Sequence, residues 1–525
     1  MYHDNKVWIG KSGDEKIYIY PKMANRHGLI AGATGTGKTI TLKVMAESFS
    51  DCGVPVFLAD VKGDLAGMCM AGVDSDSAKK RVDAMGLMEE GFNYHAYPTN
   101  FWDIYAEKGM PLRTTVTEMG PLLLSRIMDL NETQSDVLTI VFKIADDEGL
   151  LLVDTKDLRA MLQYVGENAK EYSLQYGNMS KQSLAAIIRA VVALEAEGAE
   201  LFFGEPALDI RDWICTDCNG KGTIQVLDCQ KLINNPNMYA TFMLWMMSEL
   251  FENLPEAGDA EKPRMVFFFD EAHLLFDSAP KALLRKIEQV VKLIRSKGVG
   301  IYFITQNPRD IPDEVLAQLG NKVQHALRAY TPAETKAAKA AAQSFRVNPE
   351  FDTFDVLSQL GIGEALISVL DEEGIPTVVK RANILPPQSL MGPIEDPVRT
   401  AKINGSFLYV KYATEFDGDS AYEFLNRKAV ATAQATQQAE AAEAAAKQRA
   451  KEEAAAKKAE EKKAAAAKKE MQKTANRVAS SAAGTVGRQF GNEIGKALGG
   501  SFGKKLGGNI GASLGRGILN TLFKL

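Results

Sequence analysis

Cysteine is scarce, with five residues in 525. That excludes a disulfide-stapled secreted scaffold and points to a reducing compartment. Long hydrophobic runs are missing as well. No stretch of about 18 uncharged apolar residues occurs, so an ordinary membrane-spanning helix is not expected. Residues Met1 to Gly10 contain no apolar segment that reads as a signal peptide, and the expected location is the cytoplasm. A surplus of positive charge is also absent. The formal net charge is −6, which carries no overall signature of a nucleic-acid binder. The charge is uneven, however. After residue 430 there are 17 Lys and Arg against 8 Asp and Glu; before it there are 44 against 59. Any DNA-contacting surface on that acidic body has to be local. What is present is ordinary globular material, 46% hydrophobic and 24% charged. It is enough for a sizeable core spread over two to four structural units.

Short apolar runs recur at Gly28–Ala31, Val54–Ala59, Met265–Phe269 and Gly300–Ile304, each bounded by turn formers or charges. Such runs read as strands of a mostly parallel sheet, buried on both faces, in an α/β fold. The helical pattern Lys38–Ser50 between the first two completes a right-handed βαβ unit. The reading divides the chain into an N-terminal hairpin with the first part of the core (1–65), a mainly helical insertion (66–260) and the second part of the core (261–428). The insertion carries helical patterns over Met119–Ile144 and Ser183–Glu197. It also has strand-like ends at Leu112–Val116 and in a hairpin formed by Trp213–Cys215 and Thr223–Leu227 around Asn219-Gly220. Residues 429–475 lack Gly, Pro, aromatics, Leu and Ile. They predict a long Ala/Glu/Lys helix of roughly 70 Å without a strong coiled-coil seam. In the tail, 476–525, glycine recurs at every fourth position from Gly487 to Gly515. This glycine zipper permits close helix contact and cannot stand alone in water. Its six Lys and Arg against one Glu after position 487 also suit an anionic membrane surface.

Gly32-Ala33-Thr34-Gly35-Thr36-Gly37-Lys38-Thr39, followed by Ile40, fits the phosphate-loop pattern between a strand and a helix. Glycines let successive N–H groups face phosphate oxygens, and the helix start adds its positive end. Lys38 is expected to reach the β- and γ-phosphates and Thr39 to ligate Mg²⁺. The strand Met265–Phe269 runs into Asp270-Glu271, placing two carboxylates at the sheet's carboxyl edge. Asp270 is expected to hold Mg²⁺ and Glu271 to act as general base on water, which implies hydrolysis of ATP. Gln306, at the end of Gly300–Ile304, suits a sensor of γ-phosphate or water. Arg328 is the candidate arginine finger donated to a neighbouring subunit, with Arg309 and Arg295 as rivals. His273 is read as a packing or capping residue. Asp60-Val61-Lys62-Gly63-Asp64 either lines the site or forms a plain turn. Cys215, Cys218 and Cys229 lack a fourth ligand and do not read as a metal site.

The phosphate loop, Asp60-Val61-Lys62-Gly63-Asp64, Phe267-Phe268-Phe269-Asp270-Glu271-Ala272-His273 and Ile304-Thr305-Gln306-Asn307-Pro308 together resemble the HerA/FtsK superfamily of P-loop ATPases. More narrowly, the chain looks like the bacterial HerA-like, YjgR-type family, over most of residues 1–425. The resemblance implies a RecA-like core, a hexameric ring, ATP and Mg²⁺ at subunit interfaces, and translocation of double-stranded DNA. Only 31 residues precede Gly32, room for a hairpin rather than the β-barrel that HerA proper carries there, so its nuclease partnership is not carried over. Two other readings stay open: a membrane-associated ring ATPase acting on protein, anchored at the inner face by the tail, and a nucleotide-gated assembly scaffold.

Overall fold

The computed structural model describes residues 1–258, 260–277, 281–328 and 331–479. Among them one sheet of thirteen strands forms. The strands are β1 (Tyr2–His3), β2 (Lys6–Ser12), β3 (Glu15–Ile19), β4 (Gly28–Ala31), β5 (Val56–Asp60), β6 (Thr99–Asp103) and β7 (Met110–Pro111). They continue with β8 (Ile224–Asp228), β9 (Met265–Phe269), β10 (Val299–Thr305), β11 (Asn321–Gln324), β12 (Glu364–Ser368) and β13 (Lys380–Ile384). Eight neighbours run parallel in the order β11-β4-β10-β9-β5-β8-β6-β7. The other flank is antiparallel. β12 pairs with β11, β13 with β12 and β2 with β13, so the N-terminal strands extend the same sheet.

The continuous apolar runs are explained by alternation between two cores. Leu29, Phe57, Phe267, Phe269 and Phe303 face one, beneath the helices Val116–Ile127, Glu132–Glu148 and Pro236–Asn253. Ile30, Leu58, Val266, Phe268 and Tyr302 face the other, with Leu42, Met45 and Phe49 of α1 (Lys38–Asp51). A third, smaller core joins Leu327, Ala338, Phe345, Leu357 and Leu366.

Several local readings differ from the structure. The stretch 66–260 is rich in helix, yet it also supplies β6, β7 and β8, which widen the sheet beyond β5. Leu112–Val116 is not a strand; Thr114 there makes a single bridge to Phe203. Trp213 ends a tight 3-10 turn, Ile210–Trp213, because its ring is wholly buried and stacks on Phe57 at 5.2 Å. The Asn219-Gly220 turn is present, with Gly220 at φ 80° and a short antiparallel bridge from Thr216 to Gly222, but the strand that follows, β8, pairs in parallel. The pattern Met119–Ile144 is two helices. Gly120 (φ 71°) and Pro121 kink the first, and Asn131 caps the second with Gln134. The helix over 429–475 is longer than its Ala-rich stretch, spanning Ala421–Ala479. Ser420 N–H donates to Glu423 at 3.0 Å at its start, and Ala421 and Leu425 are buried. Within it Glu443 and Lys447 pair at 2.6 Å. By contacts the chain divides into Met1–Ala429 and Val430–Leu525. The glycine zipper lies outside the described residues. No described helix is long and apolar enough to cross a membrane.

Candidate active site

Register brings the singled-out residues to one edge. Thr305 lies level with Ala31 across β10 and β4, and Phe303 with Phe269 across β10 and β9. Gly32, Gln306 and Asp270 therefore leave three adjacent parallel strands on the same side. The strand bearing Gln306 sits between the phosphate-loop strand and the acid-bearing strand.

Two glycines of the loop are dictated by close approach. Gly32 has φ 153°, and a Cβ there would lie 2.5 Å from His325 Cβ; Gly37 has φ 114°, with Gly363 Cα 3.3 Å from its Cβ position. α1 begins at Lys38 without a side-chain cap, which leaves its first N–H groups directed into the loop. Lys38 Nζ donates to the loop's own carbonyls, Gly32 O at 2.6 Å and Ala33 O at 3.1 Å. Thr36 Oγ1 donates to Ala33 O at 2.7 Å. Thr34 and Gly35 are exposed at the tip, while Thr39 and Ile40 are half-buried. Burial lowers the Lys38 pKa, opposed by the nearby charges of Asp270 and Glu271. The ammonium thus lies in the field of both carboxylates.

Asp270 is pushed up to about 6, chiefly by burial and then by Glu271. Glu271 N–H donates to its Oδ1 at 2.9 Å, and the Tyr239 hydroxyl donates to its backbone oxygen. Glu271 itself sits at φ 48°, a left-handed conformation costly for a non-glycine residue. The turn is fastened to β10 by Ala272 N–H donating to Ile304 O at 2.9 Å. His273 Nδ1 lies 3.4 Å from the Glu271 carboxylate, so this histidine belongs to the site's edge. Gln306 is exposed. Its neighbours fix the turn instead, with Thr305 Oγ1 donating to Asp310 at 2.7 Å and Arg309 N–H to Asn307 at 3.1 Å. Gln306, His273 and Arg309 line one cleft.

Asp60–Asp64 forms a turn beside the site. Asp60 accepts from Gly63 N–H at 2.7 Å and Leu65 N–H at 3.0 Å, holding a turn. Lys62 is exposed and adds positive potential at Lys38 and Asp270. Arg328 does not lie on a strand end. β11 stops at Gln324, and Arg328 is exposed in the segment beyond it, at the carboxyl edge. Arg295 precedes β10 and lies at the opposite edge, near His27, whose pKa is lowered chiefly by burial and further by the Arg295 charge. Cys215 Sγ contacts Thr223 Oγ1 at 3.0 Å, Cys218 is exposed and Cys229 is buried. Among the described residues no three His, Cys, Asp or Glu are grouped to hold a metal.

His325 was not singled out in the sequence, although it follows β11 directly. It is wholly buried beneath the phosphate loop. Nε2 meets Thr41 Oγ1 at 2.8 Å and Nδ1 meets Glu364 O at 3.0 Å. Ala33 N–H donates to Ala326 O at 2.9 Å and Gly363 N–H to Thr36 O at 3.1 Å. The loop is therefore held from below by the chain on either side of β11 and β12. A lone histidine after a short apolar strand gives no local signal of this role.

A phosphate loop and an acidic strand end, separated by one inserted strand in a mostly parallel sheet, define a P-loop ATPase with a RecA-like core. The chain belongs to the family described as Helicase HerA-like C-terminal, whose model matches residues 6–506. It is similar to the DNA double-strand break repair helicase HerA of Sulfolobus acidocaldarius, 22% identical over 379 residues, 71% of this chain and 67% of that protein. The HerA of Sulfurisphaera tokodaii is 21% identical over 392 residues, 72% and 70% of the two chains. Among solved structures, the plasmid coupling protein TrwB with a non-hydrolysable GTP analogue is 12% identical, covering 72% of this chain and 90% of that one at a TM-score of 0.49. VirB4 of Thermoanaerobacter pseudethanolicus is 17% identical, covering 73% and 97% at 0.47.

Proposed function

We propose that the chain is a Mg²⁺-dependent motor that couples ATP hydrolysis to movement along double-stranded DNA, working as a ring of identical subunits, six by the superfamily's precedent. The observation that carries this is that Lys38, Asp270, Glu271 and Gln306 leave three adjacent strand ends at one edge, with the Lys38 ammonium bonded to the loop and in the field of both carboxylates. Lys38 now satisfies itself on Gly32 O and Ala33 O; phosphate oxygens replace those acceptors, joined by N–H groups of the loop and of α1. Thr39 and Asp270 are the residues that would hold Mg²⁺, Asp270 through its carboxylate and Thr39 through its hydroxyl. Bound there, the cation would supply neutralisation of phosphate charge. Glu271, in the left-handed turn that Ala272 fastens to β10, takes the proton of the attacking water. Gln306 orients that water, and Arg328 from the adjacent subunit stabilises the charge that develops. The DNA reading is supported by the names of the HerA relatives.

The test is ATP hydrolysis by the full chain with and without duplex DNA at fixed salt. Stimulation by duplex supports the DNA motor. Hydrolysis indifferent to DNA, but raised by anionic vesicles, replaces it with the membrane-associated protein motor.

A further inference from the structure

The acidic body carries one element of opposite sign. The helix Lys281–Leu293 and the turn Ile294–Lys297 form the crossover from β9 to β10. Across these residues there are six Lys and Arg and one Glu. Helical periodicity sorts them cleanly. Ile287, Val290, Val291 and Ile294 are buried in the core under the sheet, whereas Arg285, Lys286, Gln289, Lys292 and Arg295 are exposed. Glu288, the single acid, is half-buried at the border of the exposed face. Lys292 and Arg295 continue into a cleft shared with Lys22 and Arg26, where, among the described residues, the lining carboxylate of Glu256 is paired with Lys297 at 3.1 Å.

From Arg285 to Arg295 the face runs for about 15 Å at the helical rise. One strand of duplex DNA presents a phosphate about every 3.4 Å of axis, so a face of this length spans about four phosphates. No other segment of the body concentrates positive charge this way, and a local patch is what an acidic DNA-binding body requires. The element also has a mechanical placement. It begins shortly after Glu271 and leads into the strand that ends at Gln306, so a force on it reaches both ends of the hydrolytic site.

We propose that the exposed face formed by Arg285, Lys286, Lys292 and Arg295 grips the phosphate backbone of duplex DNA. The proposal rests on the reading of the chain as a DNA motor. Two triple variants of the full chain test it. One is neutral (Arg285→Gln, Lys286→Gln, Lys292→Gln) and the other keeps the charge (Arg285→Lys, Lys286→Arg, Lys292→Arg). Duplex binding is read by fluorescence anisotropy across a salt titration, beside basal and DNA-stimulated hydrolysis. Three lost contacts should lower the slope of log affinity against log salt by about 2.7. The neutral variant should also lose DNA stimulation and keep basal hydrolysis, while the charge-keeping variant should match wild type. A neutral variant with wild-type slope and stimulation overturns the assignment and leaves the motor reading intact. Loss of basal hydrolysis in the neutral variant also overturns it, because the face is then a structural part of the core. Wild-type protein that neither binds duplex nor responds to it removes the motor reading and this proposal together.

Discussion

Replacing His325 by Ala removes the side chain that ties the phosphate loop to the sheet beside it. The Glu364 carbonyl only accepts, so Nδ1 carries the ring proton and Nε2 accepts from the Thr41 hydroxyl. Burial holds the imidazole neutral, with its pKa lowered to about 4. Without the ring, a buried hydroxyl and a carbonyl are left unpaired at roughly 1–3 kcal/mol each, and the cavity adds to this. The two unpaired groups alone cost about 2–6 kcal/mol, before the cavity is counted. The loss falls on α1 and on the turn that holds Thr36, so nucleotide binding should suffer beyond general stability. Since 1.4 kcal/mol is tenfold, nucleotide affinity should fall by about tenfold or more, with KM for ATP rising more than kcat falls. His325→Gln, whose amide has both a donor and an acceptor, should recover part of the affinity. Equilibrium titration with a fluorescent ATP analogue, beside thermal unfolding, reads both effects. An Ala variant with wild-type affinity and an unchanged unfolding midpoint refutes the reasoning.

Lys38→Ala should abolish nucleotide binding, because the loop keeps its backbone donors but loses its point charge; near-normal affinity in equilibrium binding would remove Lys38 from its role. Arg328→Ala mixed with Lys38→Ala should regain part of the hydrolysis that each lacks, since some interfaces then contain both intact halves. No recovery in stable mixed rings, or full activity of Arg328→Ala alone, argues against the arginine acting in trans. His27 is buried, with its pKa lowered to about 4 by burial. Its stabilising contribution is therefore complete above pH 6.5 and declines by about 1.4 kcal/mol per unit as pH falls toward 4. The stability gap between wild type and His27→Gln should narrow over that window, and a gap constant from pH 7 to 5 contradicts this.

The parts of the site legible in the sequence are those whose chemistry is local. Gly32–Thr39 announces its loop because glycine spacing, lysine and the helix start are contiguous. Asp270, Glu271 and Gln306 are legible because each ends an apolar strand, and parallel strands end at one edge. The parts that were not legible depend on distant partners. β6 reads Thr-Asn-Phe-Trp-Asp, and its buried Asn100 is satisfied by the Ser406 hydroxyl at 2.8 Å, some three hundred residues on. Trp213 looks like a strand residue until Phe57 is placed beneath it. His325 acquires meaning only once α1 and β12 close around it. In Asp60–Asp64 the charge of Lys62 is felt at Lys38 and Asp270 while Asp60 holds the turn, a division that spacing alone does not reveal.

The central claim is that this site hydrolyses ATP with Glu271 as base, to act on duplex DNA. The direct measurement is the hydrolysis rate of wild type and Glu271→Gln, each with and without duplex, alongside ATP occupancy. Wild type should hydrolyse ATP faster with duplex present, and Glu271→Gln should bind ATP, assemble and not turn over. A Glu271→Gln protein that hydrolyses ATP at the wild-type rate, or a wild type whose rate ignores duplex, contradicts the account.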